Sequence, residues 1–143
     1  MGAMESLLII TGTMGAGKTS VLSEASDILA LQGIAHAAID LDALGLARLP
    51  SAAGSDGVMY RNLQSVCENY ASLGVRRLLL ARAIEDRAEL ELCSGVVSAS
   101  NTVVCRLPSY RQHRSDGATR QAAGIGGFAA GLRCSRRGIE HYP

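Results

Sequence analysis

The chain has 143 residues, and its 14 Lys+Arg against 13 Asp+Glu give a net charge of +1. That length fits one domain, and the balanced charge argues against bulk nucleic-acid binding. Hydrophobic residues make up 48% with one Phe and no Trp, so the expected core is aliphatic and alanine-rich. No run of 18 apolar residues occurs, so no membrane-spanning helix and no membrane partner are expected. Polar and charged residues follow the first apolar run directly, which argues against a secretory leader.

The first element is a strand over about Ser6–Thr11, a short apolar run. It leads into Gly12-Thr13-Met14-Gly15-Ala16-Gly17-Lys18-Thr19, a complete G-x-x-x-x-G-K-S/T phosphate-binding loop. A helix over about Lys18–Gln32 follows, with Val21, Leu22, Ala25, Ile28 and Leu29 on one side and Gly33 as its stop. Strand, glycine turn and helix are the setting in which this motif works. Glycines let the backbone curl so that N–H groups point at a phosphate, and the helix N-terminus adds partial positive charge. On this reading residues 12–19 and Ser20 bind nucleotide, Lys18 reaches the β- and γ-phosphates, and the Thr19 hydroxyl ligates Mg²⁺.

A second strand is expected over about Ala35–Leu41, and Ile39-Asp40-Leu41-Asp42 closes it. The phosphate loop lies on the same sheet edge, where ligands of doubly wound sheets bind. Two carboxylates there can divide two tasks: Asp40 supporting Mg²⁺ and Asp42 holding or deprotonating an acceptor hydroxyl. The plainer alternative is that Asp42 caps a helix and Asp40 is a solvated strand end.

After a loop over 49–55, a helix is expected over about Asp56–Leu73, with Tyr60, Leu63, Val66, Cys67, Tyr70 and Leu73 at helical spacing and Gly74 as its stop. A third strand over about Val75–Ala83, a short helix over Glu85–Leu92 ending near Gly95, and a fourth strand over Thr102–Leu107 complete the pattern. Alternating strands and helices imply an α/β fold with a mostly parallel sheet of about four strands and helices on both faces.

Beyond Leu107 the character changes. Residues 1–107 carry a net charge of −3, whereas residues 108–143 carry +4, with six Gly and three Leu, Ile or Val. That composition predicts an irregular, poorly ordered tail at 108–143 behind a core at 1–107. Cys67, Cys93, Cys105 and Cys134 are widely and irregularly spaced, which argues against zinc. Reduced, mostly buried thiols in a cytoplasmic protein are expected.

The order G-T-M-G-A-G-K-T, helix, strand, I-D-L-D resembles the P-loop small-molecule kinases, a group that includes adenylylsulfate kinase, shikimate kinase, gluconate kinase and chloramphenicol phosphotransferase. The stretch from Tyr60-Arg61-Asn62-Leu63 to Val75-Arg76-Arg77-Leu78-Leu79-Leu80 also looks like actinobacterial kinase-like ATPases of that group. The resemblance covers roughly residues 5–107. It implies a three-layer P-loop NTPase sheet, ATP and Mg²⁺ as cofactors, and phosphoryl transfer to a small hydroxylated acceptor. Lys18 and Thr19 would bind nucleotide and metal, Asp40 would stand on the metal side and Asp42 on the substrate side. Arg82 would face an anionic substrate, or else be a surface or ion-paired arginine.

The group also carries an arginine-bearing lid, a later helix and a fifth strand. Here Arg111, Arg114 and Arg120 lie in a segment without helical periodicity, and no later apolar strand is found. Back-translation of residues 107–143 read one base later permits R-R-E-S-G, L-Q-Q and F-V-A-R-V-A-E-L-N, a string that looks like that lid and helix. A frameshift near Leu107–Pro108 is therefore one account of the tail and a divergent tail the other; the genomic nucleotide sequence decides between them. Two rival functions stand beside the kinase: a nucleotide-binding or ATP-hydrolysing regulatory module, and an inactive, truncated kinase remnant. The acceptor, ATP against GTP and the oligomeric state are not encoded in any motif found.

Overall fold

In the computed structural model of the chain, residues 3–50, 55–109 and 133–135 are described. Strand β1 (Ser6–Thr11) is buried from both sides, so its sequence is continuously apolar rather than alternating. Its parallel neighbours are β3 (Arg77–Ala81) and β4 (Asn101–Arg106), and β2 (Ala37–Asp40) pairs parallel with β3. The sheet order is β2-β3-β1-β4-β5, where β5 (Arg133–Ser135) runs antiparallel to β4. The expected α/β fold with a mostly parallel sheet and helices on both faces is what forms.

Period-2 alternation sorts the strand side chains into two cores. Leu7, Ile9, Leu78, Leu80, Ile39 and Val104 face one side, where Tyr60, Leu63 and Cys67 of α2 (Ser55–Ser72) and Leu90, Cys93 and Val97 of α3 (Arg87–Val97) cover them. Ile10, Leu79 and Ala81 face the other side, against Leu22 of α1 (Lys18–Leu31), with Val21, Ala25 and Leu29 packed alongside. The chain thus leaves β1 towards one face and β3 towards the other. A crevice opens where such adjacent strands diverge, at their carboxyl ends.

Several boundaries differ from expectation for local reasons. Strand β2 stops at Asp40 because Asp40 caps a short 3₁₀ helix, Leu41–Gly45, through a hydrogen bond from the Asp42 N–H. Helix α3 starts later and runs longer than Glu85–Leu92: Asp86 accepts from the Glu89 N–H, and the helix passes through Gly95 to a left-handed Ser98 at φ 53°. Ile28, Tyr70 and Leu73, expected on buried faces, are exposed. The apolar stripe outruns the sheet that each helix covers.

Two further expectations change. A strand does follow residue 107: β5, three residues long, borders β4. The remainder of the expected irregular tail, 110–132 and 136–143, and with it Arg111, Arg114 and Arg120, lies outside the described residues. Cys67 and Cys93 are free and buried as expected, but Cys105 is disulfide-bonded, so a uniformly reduced set of thiols does not hold. Among the described residues, no helix is long and apolar enough to cross a membrane.

Candidate functional site

The loop after β1 needs backbone shapes that only glycine adopts cheaply. Gly12, Gly15 and Gly17 have φ of 150°, 77° and 87°. Gly12 also packs against the residue that follows β4: a Cβ there would lie 3.1 Å from the Leu107 carbonyl oxygen and 3.2 Å from the Ala16 Cβ. That strand end is fixed by a 2.8 Å bond from the Leu107 N–H to the Thr11 carbonyl. Gly17 is the N-cap of α1, so this 14-residue helix starts with no side-chain cap and no acidic residue in its first turn. Its positive end is left facing the cleft, the arrangement that favours an external anion.

A cleft of about 360 Å³ lies at the divergence of β1 and β3. The lining residues are Met14, Gly15, Gly17, Lys18, Thr19, Ser20, Asp40, Asp42 and Ala81. The structure therefore brings most of the residues singled out in the sequence to one place. Gly12 stands behind the cleft wall, while Thr13 and Ala16 shape the loop through a 3.1 Å bond from the Ala16 N–H to the Thr13 carbonyl. Met14, at the loop tip, is 96% exposed.

Lys18 folds back across its own loop. Its Nζ donates to the carbonyls of Gly12 and Thr13 at 3.0 and 2.9 Å. The Thr19 hydroxyl donates to Asp40 Oδ2 at 3.0 Å. A hydroxyl and a carboxylate held that close are the hard oxygen donors that suit Mg²⁺, so the residues present fit the metal that the motif implies.

Asp42 does not join Asp40. It turns away with the 3₁₀ helix and pairs with Arg82 Nη1. Arg82 follows β3, where its N–H donates to the Ile10 carbonyl at 3.1 Å. Of the two readings of Arg82, the ion-paired one describes this arrangement. Its Nε and Nη2 both meet Glu89 Oε1 at 2.9 Å, and Tyr60 Oη donates to the same oxygen at 3.4 Å. Burial pulls the guanidinium pKa down, but the bonds to Asp42 and Glu89 outweigh it and hold Arg82 firmly charged. Burial likewise raises the Tyr60 pKa, aided by nearby Cys93 and Glu89.

Glu89 and Tyr60 were not picked out from sequence as site residues. Glu89 had a readable signal in Asp86-Arg87-Ala88-Glu89, a capping-box spacing that fixes where α3 begins and hence where Glu89 points. Tyr60 had none, because an aromatic at helical spacing reads as core.

No family model and no curated protein sequence matches the chain. Among solved structures, it is similar over 98% of its length to 48% of a chain in the Pnkp1/Rnl/Hen1 complex, with TM-score 0.55 and 11% identity. The likeness is one of fold. The chain spans about half the length of that neighbour. A cysteine-to-alanine variant of the Mycobacterium tuberculosis APS kinase CysC aligns over 75% of this chain and 82% of that one, with TM-score 0.47 and 24% identity.

Proposed function

We propose that the chain is a P-loop, ATP-dependent phosphotransferase acting on a small hydroxylated acceptor. The observation that carries this reading is the convergence, in one cleft, of an uncapped helix N-terminus, the Thr19–Asp40 oxygen pair and the separately held Asp42. The backbone of residues 12–20 would cradle the phosphates, with Lys18 exchanging its two loop carbonyls for phosphate oxygens. Thr19 and Asp40 would hold Mg²⁺, which supplies neutralisation of phosphate charge when bound. Asp42 also lines the cleft, and its carboxylate would orient an acceptor hydroxyl and take its proton. Arg82 pairs with that carboxylate.

A thermal-shift screen with ATP, GTP and ADP, each with and without Mg²⁺, tests the nucleotide half of the proposal. A ligand of the native state raises apparent stability by mass action. Mg²⁺-dependent stabilisation by ATP is expected. A flat response to every nucleotide would overturn it. For the acceptor half, ATP turnover is measured against a panel of small alcohols and sugars. Turnover that rises with one member supports phosphoryl transfer; turnover indifferent to all of them identifies a hydrolytic or regulatory module instead.

A further inference from the structure

We infer that Glu89 positions Asp42 through Arg82, so that α3 sets the geometry of the acceptor side of the cleft. The inference rests on the reading of Asp42 given above and adds residues that lie outside the cleft lining. Arg82 lies between two carboxylates of unequal freedom. Asp42 is half exposed, with 52% of its side chain open to solvent, whereas Glu89 is 19% exposed.

Glu89 has little freedom to move. Its Oε1 accepts from Arg82 Nε and from Tyr60 Oη, and its Oε2 accepts from the Glu85 N–H at 3.1 Å. Its own N–H is tied to Asp86 Oδ1 at 2.9 Å. Tyr60 is in turn held against the core, with Cys93 Sγ donating to its Oη at 4.0 Å. A guanidinium fastened at Nε and Nη2 has lost its rotation, so Nη1 can point in one direction only. That direction is the Asp42 carboxylate. The Asp42 N–H also donates to Asp40 Oδ1 at 3.2 Å, a bond that holds its backbone rather than its carboxylate.

The bland alternative is that both ion pairs merely hold α3 against the sheet. The two differ in what reaches Asp42. If Glu89 acts through Arg82, its loss must change the Asp42 carboxylate, which it does not touch, and must do so only while Arg82 is present. The test is carbon and nitrogen NMR of the intact chain, reading the Asp42 carboxyl resonance and the exchange of the Arg82 Nε–Hε proton with water. Glu89→Ala is expected to speed that exchange about tenfold or more, as follows from losing a hydrogen bond to a charged group. It should also move the Asp42 resonance. Glu89→Gln, which keeps one acceptor oxygen, should restore part of both signals. In an Arg82→Ala background, Glu89→Ala should leave Asp42 unchanged.

An Asp42 resonance that stays put while Arg82 is released would overturn the inference. So would an effect of equal size with and without Arg82. If Glu89→Ala does not fold, Glu89→Gln against wild type reads the same coupling at smaller amplitude, and an unmoved Asp42 there also overturns it. Calorimetry of the wild-type chain with ADP·Mg²⁺ separates this claim from the functional reading. Absent binding removes that reading and the positioning role with it, whereas binding with an unmoved Asp42 removes the positioning role alone.

Discussion

Lys18→Ala separates a lysine that serves a ligand from one that serves the fold. In the free chain its ammonium makes two hydrogen bonds, to Gly12 O at 3.0 Å and Thr13 O at 2.9 Å. Both acceptors are neutral loop carbonyls, the Gly12 bond part-buried and the Thr13 bond exposed, so each bond is taken as contributing about 0.5–1.5 kcal/mol. Removing a cation beside a helix N-terminus returns about 0.3–1 kcal/mol, because the helix dipole disfavours positive charge there. The net loss of stability then lies between about 0 and 3 kcal/mol, a fall in Tm of no more than about 10 °C. Against phosphate the balance differs. Hydrogen bonds between charged partners contribute about 1.5–3 kcal/mol. After the carbonyl bonds given up in exchange, about 2–3 kcal/mol of binding should vanish, a rise in Kd of about 30- to 150-fold. Titration calorimetry with ADP·Mg²⁺ and ATP·Mg²⁺ measures the affinity, and a melt without nucleotide measures the fold. Equal affinities for the two proteins would refute the phosphate-loop reading. A Tm loss above about 10 °C would refute the claim that the lysine's bonds in the free chain are expendable.

Asp42→Asn should leave ATP affinity nearly unchanged but abolish transfer to any acceptor found, since an amide cannot take the proton; transfer at the wild-type rate in a coupled assay would reduce Asp42 to an ion-pair partner of Arg82. Gly12→Ala should cost about 1–3 kcal/mol in urea melts, because its Cβ would press on Leu107 and Ala16 at φ 150°. Gly15→Ala should cost less, because that Cβ meets open space and only the φ of 77° is strained. Burial raises the thiols of Cys93 and Cys67 from 9.0 to about 11. The folded state thus holds their protons more tightly than the unfolded one. Their contribution is complete below about pH 9 and is lost as the pH rises towards 11, on the order of 2 kcal/mol for Cys93. Urea midpoints that stay level across that range would show that the thiols ionise freely.

The backbone of the loop at residues 12–19 was legible because its shape leaves few choices of residue. Glycines at three positive-φ positions are demanded by the backbone itself, and a strand and helix of the right length flank them. The sheet was legible for a similar reason, since buried parallel strands read as continuous apolar runs. The ends of elements were less so. Gly95 looked like a stop but sits inside α3, where helix packing through Leu90, Cys93 and Val97 outweighs one glycine's propensity cost. Asp40 and Asp42 read as a pair of carboxylates at the end of a strand expected over about Ala35–Leu41. Their actual separation comes from a side chain competing with the sheet: Asp40 Oδ1 captures the Asp42 N–H and turns the chain into a 3₁₀ helix.

That turn decides how the cleft is shared between layers. Asp40 is bonded to Thr19, a residue of α1, and α1 covers one face of the sheet. Asp42 is bonded to Arg82, which α3 holds through Glu89, and Tyr60 of α2 bonds Glu89 in turn; those helices cover the other face. The two carboxylates are two residues apart in sequence, yet each takes its orientation from a different layer. On the inference above, packing changes in the α2–α3 core, for instance at Leu63 or Leu90, would reach the Asp42 carboxylate by way of Tyr60, Glu89 and Arg82, while its backbone stays tied to Asp40. In the proposed reaction this would leave metal binding and acceptor geometry separately adjustable, one by the helix after β1 and the other by the helix after β3.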